Sequence, residues 1–231
     1  MKNAVVILAG GSGTRYSNSV NKSLEHISGI PLWKIVLNKY IDLEIAQEYV
    51  VVCNREIISE IEADILINYK ELRKVLHVIP GGSERQQSIL RGLQELHADE
   101  INAIFIHEAA RPIICKTTLE ECKRLVELND AVLPIQHSRD GLLIVNDEND
   151  VVGYNDRRTT VCGIGPEVMR YHIALSSFEE AEKENLLFPE SCSLLAYYGI
   201  NVKTFLTKNL SIKVTHPNDL LIAQTMMSLE Q

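Results

Sequence analysis

Short apolar runs rich in β-branched residues alternate along the chain with longer segments in which apolar positions recur every three or four residues. A strand buried on both faces shows no polar alternation, so this rhythm predicts βα units feeding a mainly parallel sheet. The predicted strands are Ala4 to Leu8, Tyr49 to Cys53, Val75 to Ile79, Ala103 to Ile106 and Ala131 to Ile135. Between the third and fourth, Ile89, Leu90, Leu93 and Leu96 fall on one helical face, with Arg91, Gln94 and Glu95 on the other. Leu119, Cys122, Leu125 and Val126 form a similar stripe in the next crossover, so both helices should lie on the sheet. Further on, the pattern predicts a long helix around Glu167 to Glu184, then strands at Val202 to Leu206 and Ile212 to Val214. A last helix is announced by Thr215, Pro217 and Asp219, a hydroxyl, a proline and an acid suited to a first turn.

The rhythm breaks at residues 136–160, where Gly141 to Val145 and Val151 to Tyr154 flank a turn-rich Asn-Asp-Glu-Asn-Asp sequence. This predicts a β-hairpin inserted into the α/β domain. A lone hairpin is marginal in water, so its apolar face needs a cover. The expectation is a projecting arm that packs on a partner subunit; the alternative is an arm folded back on its own domain.

Composition adds bounds. With 231 residues, 45% of them hydrophobic, the chain can bury one full core, and a single domain spanning 1–231 with the arm as its one embellishment is expected. The formal net charge of -8 argues against general nucleic-acid binding, so an anionic substrate must be met by a few placed cations. The apolar stretch from Ala4 to Ala9 is too short for a signal segment, and no window is long enough to span a membrane. Five cysteines without a CxxC pair read as reduced thiols in a cytoplasmic protein. The seven histidines include no HxH or HExxH, from which no histidine-bound transition metal is expected.

The strongest local chemistry follows the first strand: Leu8, Ala9, Gly10, Gly11, Ser12, Gly13, Thr14 and Arg15. Glycines without Cβ atoms let backbone N–H groups converge on an anion, and Arg15 adds a fixed charge. The loop lacks the Gly-Lys-Ser/Thr of a Walker motif, and Tyr16 stands where GxGxxG would need its last glycine. Lys22, seven residues beyond Arg15, gives the loop a second cation suited to nucleotide phosphates.

Four ordered blocks carry a family resemblance: this loop with Lys22; Gly81 to Ser88 (GGSERQQS); His107 to Pro112 (HEAARP); and Ile212 to Asp219 (IKVTHPND). In order and spacing they resemble the methylerythritol-phosphate cytidylyltransferase family, which includes the ribitol-5-phosphate cytidylyltransferases. The resemblance implies a Rossmann-like α/β domain with a dimerisation arm, and transfer of CMP from CTP to a small polyol or sugar phosphate. It implies that Arg15, Lys22 and Lys213 stabilise charge on the triphosphate. Leu8 to Thr14, Gly81, Gly82, Arg85, Ser88 and Ala109 would hold the nucleotide, with Gly81, Gly82 and Ser88 near the cytosine. Ser88 has a second reading as a helix cap. Glu108 would bind Mg²⁺, Arg111 would brace its loop or touch the acceptor, and Arg157 would grip the acceptor phosphate from a neighbouring subunit of a homodimer. His107 is read as structural.

Departures from the family pattern concentrate in the acceptor half. Asn21 and Ser23 flank the lysine in place of proline and glutamine, and Glu108 stands for aspartate. Residues 160–167 read TVCGIGPE, without the hydroxyl expected at Gly165, and Pro189 to Ser193 are also altered. Three functions follow: a cytidylyltransferase acting on 2-C-methyl-D-erythritol 4-phosphate, favoured by length and Arg157; the same reaction on ribitol 5-phosphate or another surface-polymer alditol or sugar phosphate, favoured by the wording of the glycine loop; or a catalytically weak nucleotide-binding regulator.

Overall fold

The computed structural model describes residues 2–10, 21–97, 100–138, 140–208 and 211–229. Its centre is an eight-stranded sheet. Parallel strands β1 (Lys2–Ala9), β4 (Glu48–Cys53), β5 (Leu76–Pro80) and β6 (Ile101–Glu108) run in the order β6-β1-β4-β5. Beyond β6 come β11 (Glu167–Arg170) and β7 (Ala131–His137), antiparallel to one another, with β10 (Val161–Gly163) antiparallel on β7 and β12 (Val202–Leu206) parallel to it. A two-stranded ribbon, β2 (His26–Ile27) with β3 (Ile30–Pro31), follows the glycine-loop region.

Successive side chains of a strand point to opposite faces, and β1 divides its residues accordingly. Val5 and Ile7 face a layer made by α1 (Leu32–Asp42), α2 (Ile58–Asn68) and α4 (Lys116–Val126), where Trp33, Tyr40, Ile61 and Leu119 are buried. Ala4 and Val6 face α3 (Arg85–Gln94), α5 (Tyr171–Lys183) and α6 (Ser191–Tyr197), where Ile89, Leu93, Phe178 and Leu194 are buried. A smaller cluster of Ile27, Leu32, Ile113, Val214 and Ala223 seats α7 (Pro217–Leu229) beside the sheet. Both predicted helical stripes are buried as expected: Ile89, Leu90 and Leu93 on α3, and Leu119, Cys122, Leu125 and Val126 on α4.

Two expectations are corrected. The helix around Glu167 to Glu184 is a strand followed by a helix, because Glu167–Arg170 pairs between β6 and β7 before α5 begins at Tyr171. Ile212 to Val214 is not a strand; the Val214 amide donates to the Ala110 carbonyl at 2.8 Å and its side chain is fully buried under α7. At the start of α7, the Thr215 hydroxyl and the amides of Thr215 and His216 all donate to the Asp219 carboxylate, so the acid does the capping. The inserted segment forms β8 (Leu143–Val145) and β9 (Val151–Tyr154), a separate ribbon whose Leu143, Ile144, Val145, Val151, Val152 and Tyr154 are all exposed.

Candidate active site at the carboxyl ends of the strands

Open α/β sheets bind ligands outside the carboxyl ends of their strands, and here β1 and β6 end side by side with Leu8 in register with Glu108. Of the glycine-loop residues, Leu8, Ala9 and Gly10 are described, whereas Gly11, Ser12, Gly13, Thr14 and Arg15 lie outside the described residues. Lys22 opens a short helical turn next to β1: Ser23 is buried and its hydroxyl donates to the Ala9 carbonyl at 2.7 Å, while the Asn21 side chain accepts from the Ser23 amide at 3.0 Å. The two departures flanking Lys22 therefore serve to pin this turn against the end of β1. Ala109 is fully buried and its amide donates to the Leu8 carbonyl at 3.0 Å, which ties the strand ends together and leaves that N–H unavailable to a nucleotide.

The second glycine segment follows β5. The Gly81 amide donates to the Cys53 carbonyl at 2.9 Å, Arg91 donates to the Gly81 carbonyl at 2.6 Å, and the Gly82 amide donates to Ser88 Oγ at 3.0 Å. Ser88 Oγ also donates to the Glu84 carbonyl at 3.1 Å. Ser88 is thus a staple for the loop; the helix start is capped reciprocally by Glu84 and Gln87. Both amide donors of Gly81 and Gly82 are committed within the protein, so a role of this segment near a cytosine would fall to its carbonyls and side chains. The glycines are required for another reason: a Cβ on Gly81 would sit 2.8 Å from Ser88 Oγ, and one on Gly82 would sit 2.4 Å from Gln87 Cβ.

Beyond β6 lies a cavity of about 250 Å³, with Arg85, Glu108, Arg111, Glu167, Glu190 and Lys213 among its walls. Glu108 is its hub. Oε1 accepts from Lys213 Nζ at 2.8 Å and lies 3.5 Å from Arg85 Nε, and Oε2 accepts from Arg111 Nε at 3.3 Å. Burial alone would raise this carboxyl's pKa, but Lys213, then Arg85 and Arg111, overcome it and hold the group down at about 2. These residues do not fit the expected Mg²⁺ site at Glu108: both oxygens are committed to cations, and a dication there would add to three positive groups that Glu108, Glu167 and Glu190 do no more than balance.

Arg85 is the second centre. It pairs with Glu167 at 2.9 Å and reaches Ser191 Oγ at 3.3 Å, and Ser191 donates to the same Glu167 oxygen at 2.5 Å. Its Nε is buried with no hydrogen-bond partner among the described residues and meets Glu108 Oε1 only as an ion pair at 3.5 Å. Arg85 thus stands in the part of the site bounded by the altered segments 160–167 and 189–193. Gly165, in the first of these, has φ +69°, a conformation that a residue carrying the expected hydroxyl would rarely adopt. Residues 167 and 191 drew no attention in the sequence; the signal was an acid directly after Pro166 and a serine in the altered second segment.

His107 is buried at the base of the site, with Nδ1 3.1 Å from the Tyr40 hydroxyl and Nε2 3.0 Å from the Arg111 carbonyl. Burial lowers its pKa to about 4, which keeps the ring neutral and makes it a brace for the Arg111 turn, as the structural reading required. Arg111 Nη1 reaches Ser211 Oγ at 3.4 Å, so Arg111 both braces the loop and lines the cavity. Arg157 is exposed after the β8-β9 ribbon and is not among the residues lining the cavity of its own chain.

A doubly wound sheet with a cluster of fixed cations at its strand ends is the frame of an α/β nucleotidyltransferase. The family model of 2-C-methyl-D-erythritol 4-phosphate cytidylyltransferase (IspD) matches residues 3–229, and the chain belongs to that family. The 2-C-methyl-D-erythritol 4-phosphate cytidylyltransferase of Clostridium botulinum (strain 657 / Type Ba4) is 29% identical over 226 residues, covering 98% of this chain and 97% of the relative. That of Clostridium novyi (strain NT) is 26% identical, covering 98% and 96%. In fold, the chain is similar to the 4-diphosphocytidyl-2C-methyl-D-erythritol synthase of Anaerococcus prevotii, with a TM-score of 0.83 at 19% identity and 98% of each chain covered. It is also similar to the Francisella tularensis cytidylyltransferase, with a TM-score of 0.78 at 21% identity, covering 96% of this chain and 99% of that one.

Proposed function

We propose that this protein transfers CMP from CTP to the phosphate of 2-C-methyl-D-erythritol 4-phosphate. The observation that carries the reading is the Lys213–Glu108–Arg85 cluster at the end of β6, level with the end of β1, in a chain matched to the family from residue 3 to 229. An oxygen of the acceptor phosphate attacks the α-phosphorus of CTP; the new P–O bond forms as the bond to the β-phosphate oxygen breaks, and pyrophosphate leaves with the electron pair. Catalysis of this step consists of positioning two anions and stabilising the charge that shifts onto the leaving group. Lys213, Lys22 and Arg15 are assigned to the triphosphate. Glu108 is a positioning residue, holding Lys213, Arg85 and Arg111 where the phosphates arrive. A divalent ion enters with the nucleotide, as part of the metal–triphosphate substrate.

The charge count of the cavity supports a shared site. Arg85, Arg111 and Lys213 are balanced one for one by Glu108, Glu167 and Glu190, which leaves no net charge for an acceptor dianion. Additional cations are needed, and Arg157, which follows the exposed apolar ribbon, would supply one. In a two-fold dimer the ribbons bury each other's Ile144, Val151 and Val152, and each carries its arginine to the other subunit's site, where a guanidinium can grip a phosphate in bidentate fashion. No helix among the described residues is long and apolar enough to cross a membrane, and all five cysteines are free, which supports the cytoplasm as the place of action.

A second reading keeps the reaction and takes ribitol 5-phosphate as acceptor. It is favoured by one observation: the residues that depart from the family pattern, Gly165, Glu190 and Cys192 among them, line the cavity. The reaction itself is tested by pyrophosphate release from CTP. Release that requires both 2-C-methyl-D-erythritol 4-phosphate and a divalent ion, and that falls by about 10²-fold when ATP replaces CTP, is expected. Equal turnover with ATP, or full turnover in excess EDTA, would refute the proposal.

A further inference from the structure

Glu48, His77 and His97 lie at the other end of the sheet from the cavity. Glu48 opens β4, His77 is the second residue of the edge strand β5, and His97 follows α3. On β1, Ala4 is in register with Glu48 and Leu8 with Glu108, so about 13 Å of strand separates the two sites at roughly 3.3 Å per residue. One ligand atom from each of the three side chains lies within 4.8 Å of the others.

The Glu48 side chain is only 5% exposed and faces His97, whose Nδ1 lies 2.6 Å and whose amide lies 3.1 Å from Glu48 Oε1. His77 is oriented by Glu95, with 3.2 Å between Nδ1 and Oε1. A carboxylate on one ring nitrogen is how metal-bound histidines are held, and it leaves the other nitrogen as the ligand atom. That atom, His77 Nε2, is buried with no hydrogen-bond partner among the described residues. The two imidazoles stand with centroids 5.9 Å apart.

We infer that Glu48, His77 and His97 form a binding site for a divalent transition-metal ion, Zn²⁺ by its donor set, that clips the end of α3 to the sheet edge. Two imidazoles and one carboxylate suit Zn²⁺, whereas Mg²⁺ and Ca²⁺ select all-oxygen sets. Three protein ligands leave a fourth position for water, and His97, with 71% of its side chain exposed, lies on the path of entry. The absence of an HxH or HExxH motif gave the opposite expectation, because the ligands come from three elements and meet only through the β4–β5 pairing and the packing of α3.

The test is calorimetric titration of the metal-stripped full chain with ZnCl₂ in millimolar Mg²⁺. One Zn²⁺ per chain is expected, weakened by more than about 100-fold in His97→Ala and His77→Gln and by about 10- to 100-fold in Glu95→Gln. Zn²⁺ should raise the Tm of the wild type and leave that of His97→Ala unchanged; because His97 is exposed, this variant keeps its fold. Co²⁺ in the same site should show visible ligand-field bands without a thiolate charge-transfer band, which separates it from binding at Cys162 or Cys192. Stoichiometric binding that survives both histidine substitutions, a thiolate spectrum, or no binding at all overturns the inference.

Discussion

His107 permits a quantitative test of how the site is braced. Its ring is buried between the Tyr40 hydroxyl and the Arg111 carbonyl, and burial lowers its pKa to about 4 against an unfolded value near 6.5. A depressed folded pKa means that the folded state prefers the neutral ring. The associated stability is therefore present above about pH 6.5 and is lost as the pH falls towards 4. Two and a half units at 1.36 kcal/mol each amount to about 3 kcal/mol in full, of which about 2 kcal/mol is lost between about pH 7.5 and pH 5, where most carboxylates remain ionised. The comparison is urea unfolding of the wild type and His107→Gln, whose amide can donate to the Arg111 carbonyl and accept from Tyr40 without titrating. Wild-type stability should fall by about 2 kcal/mol more than that of the variant across this window. Glu108, held at about 2, releases its contribution only below an ordinary carboxylate pKa of about 4.5 and leaves the window undisturbed. Parallel stability curves for the two proteins would refute the neutral-brace argument.

Replacing Lys213 by Ala removes the 2.8 Å partner of Glu108 and a preorganised charge, and kcat should fall by about 10²-fold or more while the circular dichroism spectrum is retained. Gly82→Ala places a methyl group 2.4 Å from Gln87 Cβ; unfolding should become easier by about 1–3 kcal/mol in urea, with a raised KM for CTP. Mixing Lys22→Ala with Arg157→Ala under conditions of subunit exchange should restore part of the wild-type activity, since each heterodimer then holds one intact site; a mixture that stays inactive despite exchange would place Arg157 outside the partner's site.

The parallel strands were legible because a strand covered on both faces has an apolar centre, as in Ala4–Ala9 of β1, Tyr49–Cys53 of β4 and Ala103–Ile106 of β6, with polar residues only at the ends. Glu167–Arg170 was hidden by its neighbours: Ala174, Phe178 and Ala181 continue a helical period, and only pairing between β6 and β7 extends the four residues before it. Ile212 to Val214 reads as a strand because two β-branched residues flank Lys213, yet the burial of Val214 comes from α7 and not from a ladder. In the site, the block around Lys213 and Glu108 could be read from residue types, but the exchange of roles could not. That Glu108 neutralises three cations depends on residues 85, 111 and 213 meeting in space. Likewise the commitment of the Gly81 and Gly82 amides is set by Cys53 and Ser88, which no spacing rule connects to them.

The central claim concerns the acceptor, and the ratio of kcat/KM for 2-C-methyl-D-erythritol 4-phosphate over ribitol 5-phosphate, measured with saturating CTP by pyrophosphate release, tests it most directly. The account predicts a ratio above about 10², as expected when buried polar groups are matched to one polyol and left unpaired by another. A ratio at or below one, or no pyrophosphate from either acceptor, would contradict it.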